Sequence, residues 1–497
     1  MSKRILIFTL ALGIVMSLVM GGIAFADQAT STQATPVTLT VYFERYDYPS
    51  KFPELAQMTE NIVKNYEKLH PNVQIKLIPD TFGEETNYET WLTAQFAAGT
   101  EPDISWEQYY QRWVEKGWWI PLNKYLEEPD PYAAPGQGRE HWKDCVPNFV
   151  WDSIIAPDGN SYTVDLDWVE TGVFYNKEIF DKLGISPNFT TWDQFMQDLK
   201  IIKAHGYIPF DFGMSGTTWT PYQWIDDIFT TSAFADQVPE MYMPKYAELY
   251  KETYDGEQWR VLAPEETAKA IYDGIYSTNN PRFVEFLKLM KQFSEYWPSG
   301  FTSLDYDSML SLFLSGKAAM VWLGSWSMPE IAQSAPFKWG LTYLPPLSTE
   351  QIPQLPKIFQ DVSFRVGGPS AAAEYGITAG AEKNHVVSWA VDFLKYLSTP
   401  NTMGKVIAAS GMYIPMIKGT EVNPAIAFFE KIASYPTRAF MDPEGRFPPA
   451  IANEYGTIME NYLVGSINME TAQKQIQEVL NEYVKEMASE YHYSWYK

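Results

Sequence analysis

Three segments carry most of what this chain says about itself: YTVDLDWVETGVFYNK (Tyr162–Lys177), TWDQF (Thr191–Phe195) and GKAAMVWLGSW (Gly316–Trp326). Each reads as well-formed scaffold. Thr191 offers an N-cap to a helix starting at Trp192, with Gln194 at N3 completing a capping-box pattern. Met309–Phe313 suits a short buried helix ended by Gly316, and Ala318–Leu323 suits an apolar strand whose following loop delivers Gly324, Ser325 and Trp326. No stretch shows the spacing of a metal, nucleotide or nucleophile motif. The residues therefore suggest a chain that holds a solute rather than one that converts it.

Toward the N-terminus, Val37–Phe43 alternates as a strand does and breaks into the polar loop Glu44-Arg45-Tyr46-Asp47. Leu55, Met58, Ile62, Tyr66 and Leu69 recur at helical spacing until Pro71-Asn72, after which Val73, Ile75 and Leu77 start a second strand. A right-handed crossover places these strands parallel in one sheet and leaves the 44–47 loop at a carboxyl edge, where open α/β sheets bind ligands. Trp91–Ala98 is a short helix stopped by Gly99, and the strand begun at Pro102–Ser105 delivers Trp106, Glu107 and Gln108 as site candidates. Val114–Leu126 continues as helix and loop, and Asp130–Gly138 is an exposed Pro/Gly-rich loop. Phe180–Leu183, Trp192–His205 and Phe283–Phe293 read as amphipathic helices. Phe364–Val366 and Tyr375–Thr378 read as strands, Val386–Leu397 as a helix with Trp389, Phe393 and Tyr396 on one face, and Gly411–Pro415 as a loop. The last helix aligns Ile476, Val479, Leu480, Tyr483, Val484 and Met487.

Lys3 and Arg4, the apolar run Ile5–Ile23 and Ala24-Phe25-Ala26 read as an export signal cleaved before Asp27. The run is also long enough to span a bilayer, so an uncleaved anchor stands as the alternative. Asp27–Pro36 is a polar tether, and the chain beyond it is too long for one core, which implies two lobes. Cys145 is the only cysteine, so no intramolecular disulfide is available and no lipid-bearing Cys stands after the signal. A net charge of −24 excludes a nucleic-acid partner and disfavours anions at long range, unless Arg45, Arg112 or Arg365 builds a local basic pocket. Aromatic residues make up 16% of the chain, with 18 Trp and 32 Tyr. Such rings complement sugars, which present a C–H face and a hydroxyl rim.

Together YEKLHPNVQIK (Tyr66–Lys76), LTAQFAAGTEPDI (Leu92–Ile104), GVFYNKEIFDKLGI (Gly172–Ile185), TWDQF, FLSGKAAMVWLGSW (Phe313–Trp326), WGLTYLPP (Trp339–Pro346) and GITAGAEKNHVVSWAVDFLKYL (Gly376–Leu397) resemble the family 1 extracellular solute-binding proteins. These are carbohydrate receptors of ATP-binding-cassette importers, with maltose-binding protein as the familiar member. The resemblance covers most of the chain. It implies an α/β, two-lobe periplasmic-binding-protein type II fold with the ligand in the cleft between lobes and a hinge of about three crossings. Placed by resemblance, lobe one takes 37–165 and 360–415, and lobe two takes 166–359 and 416–497. The implied partners are a carbohydrate, an oligosaccharide given the number of aromatic cleft candidates, and the permease subunits. The protein is expected to be a monomer without a cofactor, exported to the periplasm or cell exterior.

Residue by residue, Glu44 and Arg45 match the polar pair after the first strand, while Glu107, Gln108 and Tyr110 match the loop after the third. Tyr222 in TPYQW resembles the family's ring-stacking loop, with Trp219 and Trp224 beside it, and Trp326 matches the stacking Trp after GKAAM. Asp165, Asp167 and Trp168 fall at the first crossing, where the extra length leaves open which acid points inward; Arg365 and Tyr413 are contacts from hinge-adjacent loops. A carboxylate accepts two adjacent hydroxyls, Arg donates a fork and Trp covers a C–H face.

Three other readings compete. A glycoside hydrolase would need a carboxylate pair such as Asp165 with Asp167 or Glu170, but acids this close in one strand do not flank a glycosidic bond unaided. A cation-binding module would use DLDWVE, which lacks the Gly and distal Glu of an EF-hand; a stabilising calcium ion stays open. A receptor for a polyamine or peptide would use the same acids and rings for ammonium groups.

Overall fold

The computed structural model describes residues 35–82, 85–107, 114, 116–156, 158–215, 221–234, 236–241, 263–369, 372–429 and 447–497. The export signal, the optional anchor, nearly all of the tether, and Gln108, Tyr110, Arg112 and Trp219 lie outside the described residues.

Ten strands form along the described chain: β1 (Val37–Tyr42), β2 (Val73–Ile78), β3 (Ile104–Trp106), β4 (Thr163–Asp165), β5 (Asp167–Asn176), β6 (Met320–Gly324), β7 (Trp339–Thr342), β8 (Gly367–Pro369), β9 (Glu374–Ile377) and β10 (Ile414–Pro415). The first sheet has the order β2-β1-β3-β9-β4. As expected from the βαβ pattern, β1 runs parallel to β2 and β3, whereas β9 runs antiparallel to β3 and β4. The intervening helix Pro53–Leu69 starts on a proline, whose missing N–H costs nothing there. It buries Leu55, Thr59, Ile62, Val63 and Tyr66. Leu69 is 58% exposed, because the inward stripe follows the 3.6-residue turn and has rotated past it by the last position.

The GTEPDI motif is an anchor for this sheet. Asp103 is buried and accepts from the Thr40 N–H at 2.7 Å, the Thr40 hydroxyl at 2.8 Å and the Asn384 side chain at 2.8 Å. One carboxylate thus ties β1 to the β3 entrance and to the turn beyond β9.

In the second sheet the long strand β5 is central. Its later part pairs antiparallel with β6 and β7. Its first residues, Asp167–Glu170, instead lie between β8 and β10. The flanking bonds Leu166 N–H to Ala373 O (3.0 Å), Thr171 N–H to Val366 O (3.0 Å) and Met416 N–H to Leu166 O (2.9 Å) extend that pairing. Three chain segments therefore pass side by side between the sheets, near 166–170, 366–373 and 413–416.

Local chemistry sets the helices around β5. Asn176 caps the helix Lys177–Leu183 by accepting from the Glu178 and Ile179 N–H groups. Gly184 closes it at φ 67°, a left-handed conformation natural to glycine, and Ile185 bonds back to the Phe180 carbonyl. Thr191 caps Trp192–Ala204 through the Gln194 N–H, as the TWDQF pattern predicts. The reciprocal half of the box differs, since the Gln194 side chain accepts from the Thr190 hydroxyl at 3.0 Å. The final helix, Met469–Tyr491, buries all six residues of its predicted stripe.

Some elements depart from expectation. The strand predicted at Phe364–Val366 forms at Gly367–Pro369, because Phe364 and Val366 are drawn into the second-lobe core. Phe359 joins the same core, so the chain returns toward the first sheet later than residue 360. Among the described residues of 114–126, helix is confined to a short turn at 114 and 116 and to Asn123–Leu126.

Candidate ligand cleft

The polar loop after β1 is shaped by an unusual backbone. Arg45 adopts φ 53°, a left-handed conformation that costs a non-glycine residue energy and persists only where its surroundings hold it. Its N–H donates to Asp80 Oδ2 at 3.2 Å. The turn points Glu44 and Arg45 out of the sheet edge, with Glu44 Oε1 3.4 Å from Arg45 Nε and Glu44 Oε2 accepting from the Tyr42 hydroxyl at 2.9 Å. Burial pushes the Glu44 carboxyl up to about 7 against the opposing pull of Arg45. The Arg45 side chain remains 33% exposed, and its terminal guanidinium nitrogens have no hydrogen-bond partner among the described residues. Tyr413, before β10, and Tyr306, at the start of the helix Tyr306–Leu314, lie within electrostatic reach of that guanidinium. Burial raises both hydroxyls while Arg45 pulls them down.

Tyr306 in turn belongs to a row of aromatic rings. Trp326 stacks on Tyr306 with centroids 5.7 Å apart at 27°, and Trp224 meets Trp326 edge-on at 5.9 Å and 76°. The Tyr306 hydroxyl accepts from the Gly324 N–H at 3.0 Å and bonds to Ser327 Oγ at 2.5 Å. Trp326 lies so close over Gly324 that a Cβ there would sit 2.1 Å from the ring; only glycine fits. Both Trp326 and Tyr306 are half-buried and pack against the hydrophobic core. Arg45 thus lies within electrostatic reach of Glu44, Tyr413 and Tyr306, and Trp326 adjoins this group through its stack on Tyr306.

The other predicted residues are placed differently. Asp167 is fully buried at the start of β5, where it accepts from the Tyr46 hydroxyl at 2.7 Å and from the Ala372 and Ala373 N–H groups at 3.2 and 3.0 Å. Burial pushes it up to about 6. Trp168 is buried too, donating to Glu170 Oε1 at 3.2 Å and packing edge-on with Phe149. Asp165 lies buried on β4 opposite Glu374, and Glu107 is 2% exposed at the end of β3. All four are buried. TPYQW does not form a loop in its described part: Tyr222 and Trp224 lie on the helix Pro221–Phe234, with the Tyr222 hydroxyl on Asp226 at 3.0 Å. Trp224 is 1% exposed, so it backs Trp326 from the core instead of lining the cleft. Arg365 rests over the Tyr343 ring at 3.5 Å.

Sequence reasoning missed Tyr306. Its only signal was an aromatic directly after Asp305, which caps the helix through the Ser308 N–H at 2.8 Å. Among the described residues, no group of three or more His, Cys, Asp or Glu side chains is placed to hold a metal ion.

Two sheets of α/β construction, joined by adjacent crossing strands, form a two-lobe fold. Residues 50–403 match the model of the bacterial extracellular solute-binding protein family, and the chain belongs to that family. It is 23% identical over 330 residues to an ABC transporter extracellular-binding protein of Pyrococcus horikoshii, covering 66% of this chain and 65% of that protein. A multiple sugar-binding protein of Streptococcus mutans is 22% identical over 400 residues, 78% of each chain. The apo form of RafE from Streptococcus pneumoniae superposes with a TM-score of 0.59 at 19% identity, over 91% of this chain and 99% of that one. The family is extracellular or periplasmic. No helix among the described residues is long and apolar enough to cross a membrane, and the family match lends the N-terminal anchor no support.

Proposed function

We propose that this protein is the extracytoplasmic receptor of an ABC importer, that it binds a carbohydrate, specifically an oligosaccharide, in the cleft between its lobes, and that it hands the sugar unchanged to a membrane permease. The observation that carries this reading is that Arg45, on the loop after β1, lies within electrostatic reach of Tyr306, whose ring stacks on Trp326. A sugar presents C–H faces to rings and hydroxyls to donors and acceptors, and this cleft offers both. The sugar-binding name of the streptococcal relative supports the ligand class. RafE has also been solved with raffinose. In this reading lobe one holds the first sheet and lobe two the rest, the crossings near 166–170, 366–373 and 413–416 form the hinge, and the chain acts as a monomer. A ligand that touches both lobes favours the closed state by its differential contacts.

A thermal-shift screen of the chain from Asp27 onward against mono- and oligosaccharides tests this, with product analysis of every binder. A raised midpoint for one glycan series without product is expected, since a ligand that binds only the folded state stabilises it. Stabilisation by amines or peptides alone would overturn the carbohydrate reading, and sustained release of reducing ends would overturn the receptor reading.

A further inference from the structure

We propose that Asp80, just beyond β2, is a positioning residue for ligand binding: its carboxylate fixes the backbone of Arg45 and so the place from which the guanidinium meets the sugar. This rests on the carbohydrate reading above, with Arg45 as a contact. The Tyr46 N–H closes back onto the Glu44 carbonyl, and Arg45 between them has φ 53°. Arg45 is therefore the middle residue of a γ-turn of the positive-φ kind, which is rare and strained. Such a backbone persists only where its surroundings over-determine it. The flanks of the turn are held within the first βα unit, where Glu44 takes the Tyr42 hydroxyl at 2.9 Å and the Tyr46 carbonyl takes the Thr59 hydroxyl at 2.8 Å. The strained residue is held from a segment 35 residues away: Asp80 Oδ2 accepts the Arg45 N–H at 3.2 Å. Asp80 is itself fixed, with Oδ1 accepting the Phe82 N–H at 3.2 Å and its own N–H donating to the Asp47 carbonyl at 2.7 Å. At 4% exposed, Asp80 acts on a bound solute through the turn. A side chain oriented before the ligand arrives loses less freedom on binding.

Calorimetric titration with the best-stabilising oligosaccharide of the thermal-shift panel tests this in a double-mutant cycle. Asp80→Ala is expected to weaken binding about fivefold or more. In an Arg45→Ala background the same change should add less than about twofold, because the side chain it positions is already gone. Asp103→Ala, which removes a similarly buried carboxylate from the same sheet, is the control and is expected to bind within about twofold of wild type. Equal losses in the two backgrounds, or an Asp103→Ala loss as large as that of Asp80→Ala, would reduce Asp80 to a support of the fold and overturn the proposal. Wild-type affinity in Asp80→Ala would overturn it as well. Should Asp80→Ala fail to fold, the isosteric Asp80→Asn, with one acceptor oxygen left for two N–H groups, carries the same cycle with a smaller loss and the same overturning outcomes. The two readings fail differently: a wild type that binds no sugar overturns the carbohydrate reading and this one with it, whereas a binding wild type with an equally binding Asp80 variant overturns only the role of Asp80.

Discussion

The Tyr46 hydroxyl donates to Asp167 at 2.7 Å, joining the loop after β1 to the first residue of the hinge strand. The same carboxylate takes the Ala372 and Ala373 N–H groups, so one buried acid binds the outgoing crossing, the returning crossing and the site loop together. That loop also carries Glu44 and Arg45, so the proposed hinge and the proposed site share a support.

Tyr46→Phe removes one hydrogen bond to a buried carboxylate and is expected to cost about 1.5–3 kcal/mol of stability. It should also change ligand affinity without touching the ligand, since it loosens the hinge. Urea denaturation together with calorimetry checks both. A variant with wild-type stability and affinity would show that the backbone N–H groups alone hold Asp167.

Asp103→Ala leaves the Thr40 N–H and hydroxyl and the Asn384 amide without their acceptor. A loss of about 2–4 kcal/mol in denaturant unfolding is expected. The change in midpoint should come without a change in the dependence on denaturant, because the folded surface stays the same.

Burial pushes Asp211 up to about 8, opposed only by the Phe212 N–H. An unfolded aspartate titrates near ~3.9. Between those values the folded state holds a proton that the unfolded state releases, so the stability contribution is full below about pH 4 and is lost as pH rises through about 8, by at most ~1.4 kcal/mol per pH unit. Glu44 and Asp167, raised to about 7 and about 6, act in the same direction. The midpoint of unfolding should fall from pH 5 to pH 8.5, and Asp211→Asn should flatten that slope. Parallel slopes for wild type and variant would show that Asp211 does not titrate in this range.

Arg45→Ala is expected to weaken glycan binding by about 1–3 kcal/mol, and Trp326→Ala by a similar amount, since each removes a group from the centre of a desolvated site. Titration calorimetry measures both, with circular dichroism as the fold control. Unchanged affinity in either variant would remove that residue from the cleft.

Much of this was legible in the residues. Periodicity marked the βαβ unit and the final helix, because each lays one apolar face on a core, and the NKEIFDKLG and TWDQF patterns marked helix ends through capping chemistry that acts within a few residues. Glu44, Arg45 and Trp326 stood out as candidates because each lies in a loop shortly after a strand end.

What the sequence determined by itself was what near neighbours govern, the βαβ unit, the final helix and the helix caps, together with the acidic balance of the chain. The tertiary structure alone decided that Asp167 takes the Tyr46 hydroxyl and the Ala372 and Ala373 N–H groups, that Trp168 and Trp224 are sealed in the interior, and that Tyr306 stacks on Trp326. Those outcomes depend on which segments, hundreds of residues apart, lie side by side at the crossing; burial and hydrogen-bond partnership are properties of that meeting, and no local pattern encodes them.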